Sequence, residues 1–373
     1  MPSLGRYRNI RLRAVSLLNI EENKPLGPLT TLKVGGPARF FVEVRTEHQV
    51  VEAVRFAEDK GVELFVLGGG SNTLVSDSGF SGLVMKIGLA GIETEGENRP
   101  QIREIGDGSE TAVTLTAQAG EDWDGFVKTC VERNLAGIEC LSGIPGSVGG
   151  TPVQNVGAYG QEVSETITTA RCLDLKSGEI VDMPNEACGF AYRTSIFNTT
   201  SRGRYIVLSV TFRLREGGEP RIDYKDLKAV FESRRPSLGE VRHEVIRIRA
   251  AKSMVIDTAD PNFRSAGSFF KNPIVPADTL DHISAAAGNL EVPRFPAGEG
   301  TVKLSAAWLI EQAGFHKGFR LGKAGISTRH SLALTNTGGA SAAEIVALKE
   351  MIQSGVEGKF GIRLIPEPIF VGF

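Results

Sequence analysis

The stretch "LSGIPGSVGGTPVQNVGAYG", residues 141–160, is the segment whose reading decides the fold. Six glycines and two prolines within twenty residues rule out a continuous helix or strand here. A glycine has no Cβ, so the backbone can press against a ligand and turn its amides inward. Consecutive amides pointing one way form a concave anion site. The residues that offer such a surface are Gly143, Pro145, Gly146, Ser147, Gly149, Gly150, Asn155 and Gly157. An earlier stretch, "LGGGSNTLVSD" (67–77), repeats the idea: Gly68, Gly69 and Gly70 follow an apolar run, and Ser71 and Asn72 add short donors suited to a diphosphate. One such loop in each of two lobes would suit a long dinucleotide. The other reading is that both are tight connections only. The Rossmann glycine spacing, the Walker pattern and the G-x-S-x-G elbow do not occur.

Outward from these loops the chain reads as α+β. "ARFFVEV" (38–44) is an expected strand, and "EHQVVEAVRFAEDKG" an expected helix stopped by Gly61. "VELFV" and "SGLVMKI" are strands around the first glycine loop. A second lobe starts near "AVTLTAQAG" (112–120) and continues with the helix "DWDGFVKTCVERNLAG" and the long loop. A hairpin turning at Ser177–Gly178, the strand 204–215 and two helical stretches complete it. From about Ser253 the pattern restarts, with helices over 305–314 and 341–361 and a closing strand. The expected organisation is a flexible extension (1–20), a two-lobed region (21–252, divided near 105) and a third domain (253–373).

The chain has 373 residues, 23% of them charged, and a net charge of −2, which gives no electrostatic case for nucleic acid or an anionic membrane. No apolar run approaches the roughly eighteen residues of a membrane span. Arg6, Arg8, Arg11 and Arg13 precede an apolar stretch broken by Ser16 and Asn19, a poor signal peptide. Cys130, Cys140, Cys172 and Cys188 are widely spaced and read as buried thiols in a reducing compartment; no histidine spacing supports a metal site.

"SAGSFFKNP" (265–273) places Ser268 between a glycine and two phenylalanines. It reads either as a hydroxyl held on an apolar wall and aimed at something that needs a proton, or as a strand serine bonded to its own backbone.

The segments "TTLKVGGPARF", "VLGGGSN", "SGIPGSVGGTPVQNVGAYGQEV", "FAYRTSIF", "AGSFFKNP" and "PEPIFVG" occur in this order from about Leu26 to Gly372. Together they resemble the UDP-N-acetylenolpyruvoylglucosamine reductase (MurB) family, in its tyrosine-bearing subtype. The resemblance implies a two-lobed FAD-binding fold of the vanillyl-alcohol-oxidase (PCMH) type with a C-terminal α+β substrate domain. It implies a cytoplasmic enzyme of peptidoglycan synthesis, expected as a monomer, with non-covalent FAD. NADPH would reduce the flavin, whose N5 passes a hydride to UDP-N-acetylglucosamine enolpyruvate. By the same resemblance Ser268 is the proton donor, Arg193 binds the enolpyruvyl carboxylate, and Glu367 is the catalytic glutamate. Tyr192, Tyr224, Lys252, Lys271 and Asn272 would contact the nucleotide sugar. The connection between Lys252 and Ser268 varies in length in the family, and His330 receives no role. Two other functions are weighed: an FAD-dependent sugar or alcohol oxidase of the same fold, and a non-catalytic nucleotide-binding module. Against the oxidase, neither glycine loop holds a histidine or cysteine to tether a flavin; against the module, Ser268, Arg193 and Glu367 are all present.

Overall fold

Thr46 opens helix α1 (Glu47–Lys60) by accepting the Gln49 amide, and Gly61 closes it in the left-handed conformation, φ 62°. The computed structural model describes residues 18–95, 103–105, 110–232 and 234–373. The extension expected at 1–20 lies outside them up to position 17, and the expected lobe division near 105 borders a further such stretch. The chain forms two compact units. Of the described residues, the first comprises those within 18–23, 39–69 and 81–250; the second comprises 24–38, 70–80 and 251–373.

In the first unit a four-stranded sheet runs in the order Glu21–Pro25, Pro37–Val44, Phe80–Ile87, Leu64–Leu67, the last two strands being parallel. A seven-stranded sheet follows the path Glu179–Pro184, Ile167–Asp174, Tyr205–Glu216, Glu110–Gln118, Ile92–Thr94, with Arg103–Ile105 and Leu135–Ala136 on side branches. The hairpin turns at Gly178 (φ 76°), where the sequence places it. Val42, Val54, Met85, Leu115 and Phe212, drawn from both sheets and α1, are buried in one cluster. The two expected lobes therefore share a single core.

Helix α2 (Trp123–Glu132) starts at Asp122, whose side chain accepts the Gly125 amide. Its Trp123 and Phe126 rings pack with Phe212, centroids 5.0–5.9 Å apart. Helices α3 (Lys225–Phe231) and α4 (Leu238–Ala251) bury Leu227, Phe231, Val241 and Val245 around Cys140. All four cysteines are free and buried, and burial pushes the Cys172 thiol up to about 12.

The second unit holds α5 (Leu280–Ala286), α6 (Ala306–Gln312) and α7 (Ala342–Phe360) with two three-stranded sheets. A reciprocal Ser341–Glu344 capping box starts α7 and Gly361 ends it. The sequence division assigned 24–38 and 70–80 to the cofactor region; in the fold they pack with the C-terminal residues. Thr73–Val75 pairs in parallel with Ile369–Val371, and the Asp77 carboxylate accepts the Ala342 and Ala343 amides at 2.7 and 2.9 Å. Among the described residues no helix is long and apolar enough to cross a membrane, and no three His, Cys, Asp or Glu side chains gather as a metal site.

Candidate active site

The loop of residues 141–150 is laced to the start of α2. Trp123 Nε1 donates to the Leu141 carbonyl at 3.1 Å, and the Asp124 carboxylate accepts the Gly143 amide at 2.6 Å. The Trp123 amide donates to Gly146, the Val148 amide to Glu121 and the Gly149 amide to Ala119. Among the described residues, the amides of Ile144, Gly146 and Ser147 meet no protein acceptor. They are the donors left for an anion. Gly143, Gly149 and Gly150, expected to present amides, have them committed inside the protein and contribute shape instead.

The first glycine loop reaches this second one directly. A Cβ on Gly69 would fall 2.7 Å from the Gly146 Cα, and one on Gly68 2.7 Å from Ser147 Oγ. The two loops can approach this closely only because these residues lack side chains. Gly70 belongs to the second unit, where a Cβ would fall 2.1 Å from the Leu29 carbonyl oxygen. Its part is close packing with the "TTLKVGG" segment.

Asn155 differs from its expected role. Its Nδ2 hydrogens go to Glu162 Oε2 (2.7 Å) and the Ala191 carbonyl (3.1 Å), and its Oδ1 accepts the Ser164 amide. Fully engaged and 1% exposed, it holds the turn instead of presenting donors to a cofactor.

Tyr192 and Arg193 form the corner between Ala191 and Thr194, which exchange backbone hydrogen bonds at 2.9 and 3.0 Å. Arg193 adopts φ 53°, a left-handed conformation that costs a non-glycine residue about 1–2 kcal/mol. Its guanidinium donates to the carbonyls of Asn155 (3.4 Å) and Gly157 (2.6 Å) and lies 5.5 Å from the Tyr192 ring centroid. The corner thus aims a partly buried arginine along the glycine loop.

Tyr224, the residue before α3, is 38% exposed and meets Tyr159 edge-on at 5.3 Å. Tyr159 hydrogen-bonds Arg249, and burial pushes its hydroxyl up to about 12. Arg249 is 7% exposed, and Asp124 and Arg193 both act on its charge. Neither Tyr159 nor Arg249 is among the residues expected from the sequence to form the site. The available signal was the spacing of Arg242 and Arg249, which puts both on one stripe of α4.

In the second unit, "SAGSFFKNP" is irregular chain, not a regular strand, with bridges only at Ser265–Thr335 and Phe270–Pro366. The Phe269 amide donates to Leu332, the Glu367 amide to Phe269 and the Lys271 amide to Ile365. Residues 269–271 and 365–367 therefore run side by side, with Phe269 opposite Glu367 and Ser268 the next residue along the chain. Phe269 and Phe270 are 0% and 1% exposed, ring centroids 5.4 Å apart. Both belong to the buried cluster of this unit, directly after the half-buried Ser268 in the chain. Asn72 Nδ2 donates to the Glu367 carbonyl at 3.2 Å, and the Ile369 amide to the Asn72 carbonyl. Asn272 Oδ1 accepts the Ala306 amide at the start of α6, leaving its amide group for a ligand. Lys252 and Lys271 are half-buried in this unit.

Residues 38–184 match the family described as FAD binding domain, and residues 260–371 match UDP-N-acetylenolpyruvoylglucosamine reductase, C-terminal domain. The reductase of that name from Thermobifida fusca is 44% identical over 94% of this chain and 97% of its own. That from Streptomyces coelicolor is 43% identical over 99% of this chain and 95% of its own. The chain belongs to the UDP-N-acetylenolpyruvoylglucosamine reductase family. The crystal structure of the MurB enzyme from Thermus caldophilus, 25% identical, matches with a TM-score of 0.63 over 95% of this chain and all of that one. Like other members of the reductase family, this chain is a flavin-dependent oxidoreductase with a two-domain FAD-binding fold of mixed helices and sheets.

Proposed function

We propose that this chain reduces the enolpyruvyl ether of UDP-N-acetylglucosamine to UDP-N-acetylmuramate, with NADPH as reductant, as a cytoplasmic monomer in peptidoglycan precursor synthesis. The observation that supports the reading is the pairing of residues 269–271 with 365–367, which sets the Glu367 backbone opposite Phe269, the residue after the half-buried Ser268. The amides of Ile144, Gly146 and Ser147, with the Gly68–Gly69 backbone against them, would hold the FAD diphosphate. FAD supplies the hydride, taken from NADPH, for the enolpyruvyl carbon furthest from the carboxylate.

The chain's own groups manage the charge that results. An added hydride leaves an electron pair on the neighbouring carbon, delocalised into the substrate carboxylate. Arg193, oriented by donating to the carbonyls of Asn155 and Gly157, binds that carboxylate as charge grows on it. Ser268 gives its proton to the carbon and regains one from solvent. A serine hydroxyl is a weak acid, but such an enolate is a strong enough base to take its proton. Glu367 polarises the reacting end. Tyr192, Tyr224, Lys252, Lys271 and the Asn272 amide bind the sugar and diphosphate.

The test is anaerobic mixing of the purified protein with NADPH and then with UDP-N-acetylglucosamine enolpyruvate. Absorbance near the flavin maximum should bleach with the first and recover with the second, giving the lactyl ether. A flavin that bleaches and stays bleached would reject the substrate assignment.

A further inference from the structure

Asp124 stands in the first turn of α2, where a carboxylate ordinarily serves its own helix. Here Oδ1 instead accepts the amide of Gly143 at 2.6 Å. Arg242 of α4 clamps the same carboxylate with both arms of its fork, Nη1 to Oδ1 at 2.6 Å and Nη2 to Oδ2 at 2.8 Å. The arginine side chain is 13% exposed and the aspartate 34%. Burial pushes the Asp124 carboxyl up, but the Arg242 fork and the Gly143 amide outweigh it and hold the group below the usual carboxylate value.

The location gives this bridge its meaning. Gly143 sits at φ 70°, and the chain's direction through Ile144, Pro145 and Gly146 follows from that turn. Trp123 fixes the carbonyl of Leu141 just before it. Two turns along α4 from Arg242, Arg249 engages Tyr159 at the far end of the same segment. One helix thus secures the segment 143–159 near both ends, and the near anchor acts through a carboxylate on a second helix.

We infer that Asp124 and Arg242 are positioning residues for FAD: they touch no cofactor atom but set the turn that aims the Ile144, Gly146 and Ser147 amides. The inference rests on the diphosphate reading of that loop. It assigns the pair to cofactor affinity, not to general stability, and the two roles separate experimentally.

The experiment measures FAD dissociation from holoenzyme, by equilibrium dialysis and flavin fluorescence, together with melting temperature. Arg242→Gln should weaken FAD binding about ten- to a hundredfold, the scale on which groups that orient direct ligands act at metal sites. Arg242→Lys should restore part of the loss, because charge returns without the fork. Asp124→Asn, which keeps one acceptor oxygen but not the ion pair, should fall between. Arg204→Gln is the control: it breaks another bidentate bridge, to Asp174, far along the sheet, and should lower melting without changing FAD affinity. If Arg242→Gln melts lower but keeps wild-type FAD affinity, the bridge is structural and the inference fails. Should Arg242→Gln not fold, wild-type affinity in both Arg242→Lys and Asp124→Asn overturns it equally. Wild-type protein that binds no FAD would instead overturn the reading of the loop.

Discussion

Gly69 lies backbone to backbone against Gly146: a Cβ on the former would stand 2.7 Å from the Cα and 2.8 Å from the carbonyl carbon of the latter. Gly69→Ala must therefore push the two glycine loops apart. Overpacking of this kind costs about 1–3 kcal/mol, and tenfold in affinity is about 1.4 kcal/mol. The variant should fold, since Gly69 is at the surface, but retain FAD at least several-fold more weakly. Flavin-to-protein ratios after gel filtration check this; an unchanged ratio would show that the loops do not hold the cofactor.

Ser268→Ala removes a half-buried hydroxyl and should leave the melting temperature unchanged. NADPH should still bleach the flavin at the normal rate. Turnover to product should fall by about 10²–10⁴, the usual contribution of a positioned acid. Normal turnover in the variant would remove Ser268 from the mechanism.

Arg193→Ala should act mainly on kcat, because the arginine meets a charge that grows along the reaction. Loss of a comparable preorganised donor costs about 10²–10³ in rate. The substitution also releases the carbonyls of Asn155 and Gly157, so Arg193→Lys, which keeps the charge, is the informative companion. A rise in KM for the nucleotide sugar with kcat unchanged would make Arg193 a binding residue only.

Acid stability should depend on Asp174. Arg204 donates to its carboxylate at 2.9 and 2.7 Å and holds it below its ordinary value, with burial opposing and the Lys176 amide assisting. A carboxylate with a depressed folded pKa contributes its full stability above the unfolded value, about 3.9, and loses it as pH falls through the folded one. The melting gap between wild type and Asp174→Asn should thus be steady above about pH 5 and close below about pH 4. A gap that does not narrow as pH falls below about 4 would contradict the assignment.

The elements most legible in the sequence are those whose ends are set locally. Thr46 and Gly61 bound α1, and Ser341, Glu344 and Gly361 bound α7, through groups within a turn of each end. The placement of 24–38 and 70–80 was not legible, because it depends on Thr73–Val75 and Asp77 meeting residues beyond 340. Asn155 looked like a ligand because it is polar and lies among glycines, yet its needs are met by Glu162, Ala191 and Ser164. Arg249 by itself carries no signal in the sequence because a charged residue late in a helix ordinarily faces water, and only tertiary packing buries it beside Tyr159.

Synthesis of this chain leaves its early pieces waiting. Residues emerge from a ribosome at about 5–20 per second, so Leu74 is made roughly 15–60 s before the strand Ile369–Val371 that runs beside it. Through that interval Leu32, Val34 and Leu74, all interior in the finished protein, have no apolar shelter of their own. The second unit can close only once translation has passed residue 371. A nascent chain stopped short of that point would meet chaperones and proteases as an exposed surface, whatever the state of the unit made before it.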